Sequence, residues 1–143
     1  MASALHLLVR LAHVLGMAVL LGGAVAAWQV LRIGDRDPRP MLRRYEWLFW
    51  GALGVSIATG VGNLGTLGPP GPTTRWGSIL TIKLLAVAGV VVLSVVRSLA
   101  VGRLDGDSGA IQAIVRDRLR ILYAATGWVL GATVALAEVL AHG

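Results

Sequence analysis

Few residues in this sequence can do chemistry, and most of them sit in one stretch. Between Ala4 and Val30 an apolar run is interrupted by His6, Arg10, His13 and Met17. These fall at i, i+4, i+7 and i+11, so on a helix they share one stripe. Gly16 and Gly23 lie near the same face, where small residues let a second helix approach. Farther along stand Lys83, Glu138 and His142, with Asn63 between. Imidazole and thioether suit copper, and His13 with Met17 at i, i+4 can offer both to one ion, with His6 as an outer ligand. The alternative is b-type haem, with His13 as the axial ligand and Arg10 available to pair a propionate, while Lys83 can ligate only if neutral. His142 is the one histidine outside the first stretch that could serve as a second axial ligand. Each polar residue also has a structural reading. Lys83 can snorkel to the interface, Arg10 and Glu138 can form a plain ion pair, and His142, next to the last residue, sits where chains fray.

Composition narrows the chemistry. The 143 residues contain no cysteine, which excludes thiolate metal sites, iron–sulfur clusters and disulfides. GxSxG, HExxH and P-loop patterns are absent from the sequence, and Gly60-Val61-Gly62 lies inside an apolar run where helix packing accounts for it. Hydrophobic residues make up 56% and charged residues 14%, against about 45–50% and about 25% in soluble domains. The net charge of +6 does not indicate nucleic acid, because the basic residues cluster in short connectors rather than on an aromatic-rich solvated face.

These residues must be positioned by membrane helices. The first apolar run lacks a basic leader, carries Arg10 and His13, and is longer than a signal-peptide core, so it reads as a mature span. Four spans of about 20 residues or more can cross a bilayer, at about 4–31, 44–65, 76–100 and 119–141. The expected fold is an all-α integral membrane four-helix bundle in a single domain. The first connector, with Pro38 and Pro40, breaks the helix. Thr66 to Thr74, rich in Gly and Pro, is a turn. The stretch from Ala110 to Arg120 is amphipathic and can extend the fourth helix. The third span is rich in β-branched residues, but in lipid the need to satisfy every backbone group internally makes it helical.

Depth follows from the 1.5 Å rise per residue: His13 lies about 14 Å and Lys83 about 10 Å inside the terminal-side interface. Arg32, Arg36, Arg39, Arg43 and Arg44 fall in the first connector region, Arg97, Arg103, Arg116, Arg118 and Arg120 in the third, and Arg75 alone in the middle one. The positive-inside rule then places both termini outside, in what reads as a prokaryotic plasma membrane. Trp28, Tyr45, Trp47, Trp50 and Trp76 read as aromatic belts.

His13-Val14-Leu15-Gly16-Met17-Ala18-Val19-Leu20-Leu21-Gly22-Gly23 resembles the first-helix signature of the copper-resistance D (CopD-like) membrane family. Thr74-Arg75-Trp76-Gly77-Ser78-Ile79-Leu80-Thr81-Ile82-Lys83-Leu84 resembles the family's aromatic-Gly-(x)5-Lys approach to a later helix, and Thr59-Gly60 is a shorter third match. The resemblance implies copper handling at the outer face, with His13 and Met17 as inner ligands, Lys83 as a tuning charge, and a copper-delivering protein or a second copy as partner. It extends to the HemJ-type protoporphyrinogen oxidases, which implies a haem ligated by His13 with Lys83 required. Leu20 stands where both families usually carry Trp, and residues 94–97 lack the oxidases' aromatic-His pair. A third possibility is a non-catalytic subunit whose polar residues only fix helix register.

Overall fold

The computed structural model describes residues 2–34, 37–65, 74–104 and 109–142. Most of the 66–74 turn therefore lies outside the described residues. Four helices run α1 (Ala2–Ile33), α2 (Arg39–Gly65), α3 (Arg75–Arg103) and α4 (Gly109–His142). His13 meets Ser56 and Thr59 while Leu20 meets Tyr45, so α1 and α2 are antiparallel. Arg97 meets Glu46 and Thr126, and Arg116 meets Leu31, which closes an up-down-up-down bundle. α1 packs on α2 and α4, and α4 on α3; α2 and α3 are the least closely packed neighbours.

The helix ends follow local rules. Gly34, at φ 84°, takes the left-handed position after α1. Pro38 and Pro40, expected to end a helix, instead start α2. Proline is tolerated in a first turn, where its missing N–H has no helical acceptor to lose, and Asp37 Oδ1 accepts from Arg39 N at 3.1 Å to cap that turn. Thr74 caps α3, its hydroxyl accepting from Gly77 N at 3.1 Å. α4 begins at Gly109, so the amphipathic stretch is its first part.

Three helices are long and apolar enough to cross a membrane: α1 over Ala4–Ile33, α3 over Gly77–Arg103 and α4 over Ile111–Val139. α2 carries Arg43, Arg44 and Glu46 in its first half and is less apolar, although its 27 residues exceed the about 20 needed to cross a hydrocarbon core.

The buried apolar core fills only the half of the bundle nearest the α1–α2 and α3–α4 connectors. It comprises Leu20 to Leu31 on α1, Leu42 to Leu53 on α2, Val90 to Leu104 on α3 and Leu119 to Leu130 on α4. Ala24 and Ala27 are fully buried, and Gly23 lies against the Tyr45 ring, so small residues on α1 set the close approach. Toward the chain termini the packing loosens. Leu5, Leu7, Leu8, Leu11, Val14 and Leu15 on α1 are all exposed, as are Ile82, Leu84 and Leu85 on α3.

Candidate functional site: an oriented histidine and a buried ion pair

His13 stands just above the apolar core, half-buried between α1 and α2. Its Nδ1 lies 3.0 Å from the Ser56 carbonyl oxygen and 3.0 Å from Thr59 Oγ1. A carbonyl oxygen only accepts, so Nδ1 carries the proton. Thr59 spends its own hydroxyl proton on Val55 O at 2.7 Å, which turns a lone pair toward the imidazole. Both partners therefore fix the same tautomer and leave the Nε2 lone pair for a ligand. Gly60 lies beside the ring, its α-carbon bare where a methyl would come within 3.7 Å of His13 Cε1. The short Thr59-Gly60 match in the sequence is thus the wall that holds His13. Ser56 Oγ, wedged against Gly16, is buried with no hydrogen-bond partner.

The other sequence candidates are distributed unevenly about His13. Met17, one turn farther into the bundle, is half-buried against the core. Lys83 on α3 is half-buried. His6 and Arg10 are exposed, so the upper half of the stripe faces outward rather than into the bundle. Seven residues separate His6 from His13, about 10 Å along the axis, too far for both rings to bind one ion without bending the helix. Glu138 is exposed near the end of α4. The side chains of Asn63, Trp76 and His142 lie outside the described residues. Among the described residues no three of His, Asp and Glu converge as a metal cluster.

The other half of the bundle holds a polar site that the connector count concealed. Arg97, assigned by the sequence to the third connector region, is fully buried on α3. Its Nε donates to Glu46 Oε1 at 2.7 Å, Nη2 to Glu46 Oε2 at 3.3 Å and Nη1 to Thr126 Oγ1 at 3.0 Å. Glu46 also accepts from Tyr123 OH at 2.7 Å and Ser98 Oγ at 2.5 Å, and Trp50 Nε1 donates to Ser98 Oγ at 3.0 Å. The guanidinium lies 4.1 Å from the Phe49 ring centre and 4.9 Å from that of Tyr123. Tyr45, buried, donates to Leu20 O at 2.7 Å. Tyr45 and Trp50 are thus interior residues, not members of an aromatic belt, whereas Trp47 is exposed. The discoverable signal was Glu46, the one acid inside the second apolar run. A carboxylate there requires a buried cation, and Arg97 is the arginine that continues the apolar pattern of α3.

The network closes a structural gap. α2 and α3 touch little through their backbones, and Glu46, Trp50, Arg97 and Ser98 cross the space between them. Each of the three Arg97 nitrogens has an acceptor, so the pair clamps the bundle rather than offering a vacant ligand position.

Helices this long and apolar, closed around their charges, make the chain an all-α integral membrane protein. The family model for Copper resistance protein D (CopD) matches residues 39–140, more than two thirds of the chain. The chain belongs to that family, which is named for copper resistance. The match begins at α2, so it contains Thr59, Lys83 and the Glu46–Arg97 pair but not His13, Met17, His6 or Arg10. No curated protein and no solved structure matches the chain.

Proposed function

We propose that this protein handles copper at the end of the bundle where its termini lie. His13 Nε2 and the Met17 thioether serve as inner ligands, His6 as the first imidazole met by an incoming ion, and Lys83 as a charge that tunes the site. The observation that carries the reading is the Nδ1–H of His13 tied to Ser56 O and Thr59 Oγ1, which presents Nε2 as a pre-oriented donor. Imidazole with thioether is a donor pair that selects Cu(I) over harder cations. Two donors leave the coordination incomplete, and a copper-delivering protein or a second copy of the chain supplies the rest. The terminal end faces outward on this reading, because the connector arginines hold the opposite end inside.

A second reading has support in the same geometry. A free Nε2 also suits a b-type haem, with His13 axial, Lys83 as a further polar group and the exposed Arg10 as the partner of a propionate. One preparation distinguishes the two. The detergent-purified protein is loaded with Cu(I) in competition with a chromophoric chelator, and its spectrum is recorded from 350 to 600 nm before and after reduction. Bound copper that disappears in His13→Ala supports the proposal. A Soret band that shifts on reduction replaces it with the haem reading. If His13→Ala changes neither the bound copper nor the spectrum, both assignments of His13 fail and the structural-subunit reading remains.

A further inference from the structure

At the end opposite His13, the termini of all four helices enclose a cavity of about 440 Å³ whose walls include Leu31, Gly34, Arg39, Leu104, Gln112 and Arg116. A second cavity of about 260 Å³ shares Leu31, Gly34 and Arg116 and adds Arg32 and Arg120. Together they hold a group much larger than a single water, whose share of liquid volume is about 30 Å³.

The charges around this space are unbalanced. Asp37 is taken by Arg39 at 2.8 Å, and Asp117 by Arg120 at 3.1 Å. Arg116 donates through Nε to Leu31 O, a terminal carbonyl of α1, at 3.4 Å. Its Nη2 is buried and has no hydrogen-bond partner. Arg32 rests over the Trp28 ring at 5.3 Å. Among the described residues no acid pairs with Arg32 or Arg116, and both guanidinium groups line the second cavity. A buried N–H without an acceptor is costly, and an oxyanion in the cavity would relieve it.

Location selects the source of that oxyanion. The apolar spans of α1 and α3 end at Ile33 and Arg103, so the cavities lie at the edge of the hydrocarbon band. Both are lined by apolar Leu31 and Ala113 together with arginines. Phosphate groups of lipids lie at that depth, and basic pockets between helix ends recognise them. Gly34, at φ 84°, lies beside Arg116 Nη2 in the cavity wall. We propose that the second cavity, which Arg116 and Arg32 both line, binds the phosphodiester of an anionic membrane lipid with these two as its donors, Arg116 in the two-pronged manner open to a guanidinium.

The test uses the full chain stripped of lipid in neutral detergent and titrated with dioleoyl phosphatidylglycerol, dioleoyl phosphatidylcholine or inorganic phosphate. Binding is read by native mass spectrometry and by the shift in thermal midpoint. Phosphatidylglycerol is expected to bind and raise the midpoint, and phosphatidylcholine to do neither at the same concentration. Arg116→Gln and Arg32→Gln should each weaken phosphatidylglycerol binding about fivefold, while Arg118→Gln, exposed on α4 and outside both cavities, leaves it unchanged. If Arg116→Gln fails to fold, Arg32→Gln, on the surface over Trp28, carries the test alone. Equal binding of phosphatidylcholine overturns the proposal, as does full affinity in both arginine variants. An equal effect from inorganic phosphate overturns the lipid assignment.

Discussion

Replacing Arg97 by Met and Glu46 by Gln, singly and together, tests whether the buried pair holds the bundle shut. In Arg97→Met the Glu46 carboxylate keeps Tyr123 and Ser98 as donors but loses its counter-charge, in a site where Glu46 is 7% and Arg97 0% exposed. In Glu46→Gln the guanidinium keeps Thr126 and the ring faces, while one amide NH2 is turned toward Arg97 or Ser98 as a competing donor. Removing one partner of a buried pair costs about 3–5 kcal/mol, most of it the penalty on the charge left behind. In the double variant neither charge remains, and the methionine fills space beside Phe49, so its cost should fall well below the sum of the two singles. The expected coupling is about 2–3 kcal/mol, toward restored stability. The assay is reversible unfolding in mixed micelles with increasing sodium dodecyl sulfate, followed by circular dichroism. Singles that each cost less than about 1 kcal/mol, the range of a solvated surface pair, would refute the clamp, and strictly additive costs would show that Glu46 and Arg97 act separately.

Thr59→Val removes one of the two acceptors that set the His13 tautomer and should weaken Cu(I) binding by about 10–100-fold, with Thr59→Ser restoring most of it; chelator competition measures both. Gly23→Ala pushes a methyl into the Tyr45 ring and strains its hydrogen bond to Leu20 O, so a loss of about 1–3 kcal/mol is expected in the same unfolding assay. Tyr123→Phe keeps the ring beside Arg97 but removes the donor to Glu46, with an expected loss of about 1.5–3 kcal/mol for a bond to a charged group. The Arg39 guanidinium and backbone N–H hold the Asp37 carboxyl below its ordinary value of 3.8. A depressed folded-state value stabilises above the unfolded one, so the contribution of this cap is complete at pH 5 and declines as pH falls through the folded value. Asp37→Asn should therefore differ from the native chain at pH 5 and converge with it in strong acid.

The class of fold was legible because it rests on length and hydropathy: four runs separated by turn formers became four helices, three of them long and apolar enough to cross a membrane. Helix ends were less legible, since prolines 38 and 40 punctuate a chain in either direction, and whether they stop α1 or start α2 depends on Asp37 being free to cap. At the site, His13 was found because an imidazole deep in an apolar run must have a partner. Its partners were harder to name, being a backbone carbonyl and a threonine that no composition rule singles out. Arg97 was misplaced for a physical reason as well. Counting arginines near span ends assumes that each faces water, and an arginine paired with a carboxylate one helix away escapes that assumption. The aromatic residues misled in the same way: Tyr45 and Trp50 occupy belt positions in the sequence but turn inward because Leu20 O and Ser98 Oγ offer them acceptors.

The two halves of the bundle differ in what they resist. Near the connectors an apolar core and a satisfied ion network tie three helices together, so separating them exposes both apolar surface and charge. Near the termini the apolar core does not continue among the described residues, and His13 is held there by hydrogen bonds to one neighbouring helix, so less buried surface opposes local opening. A site that takes up and releases an ion needs that combination. The ligand must be held in one tautomer so that binding is not spent on ordering it, while the helices around it must part at small cost. Tightening the terminal half, for instance by filling the space beside Gly60 with an alanine methyl, should then slow copper exchange more than it changes copper affinity. Stopped-flow transfer to a chelator separates the two quantities, and equal changes in both would place the flexibility elsewhere.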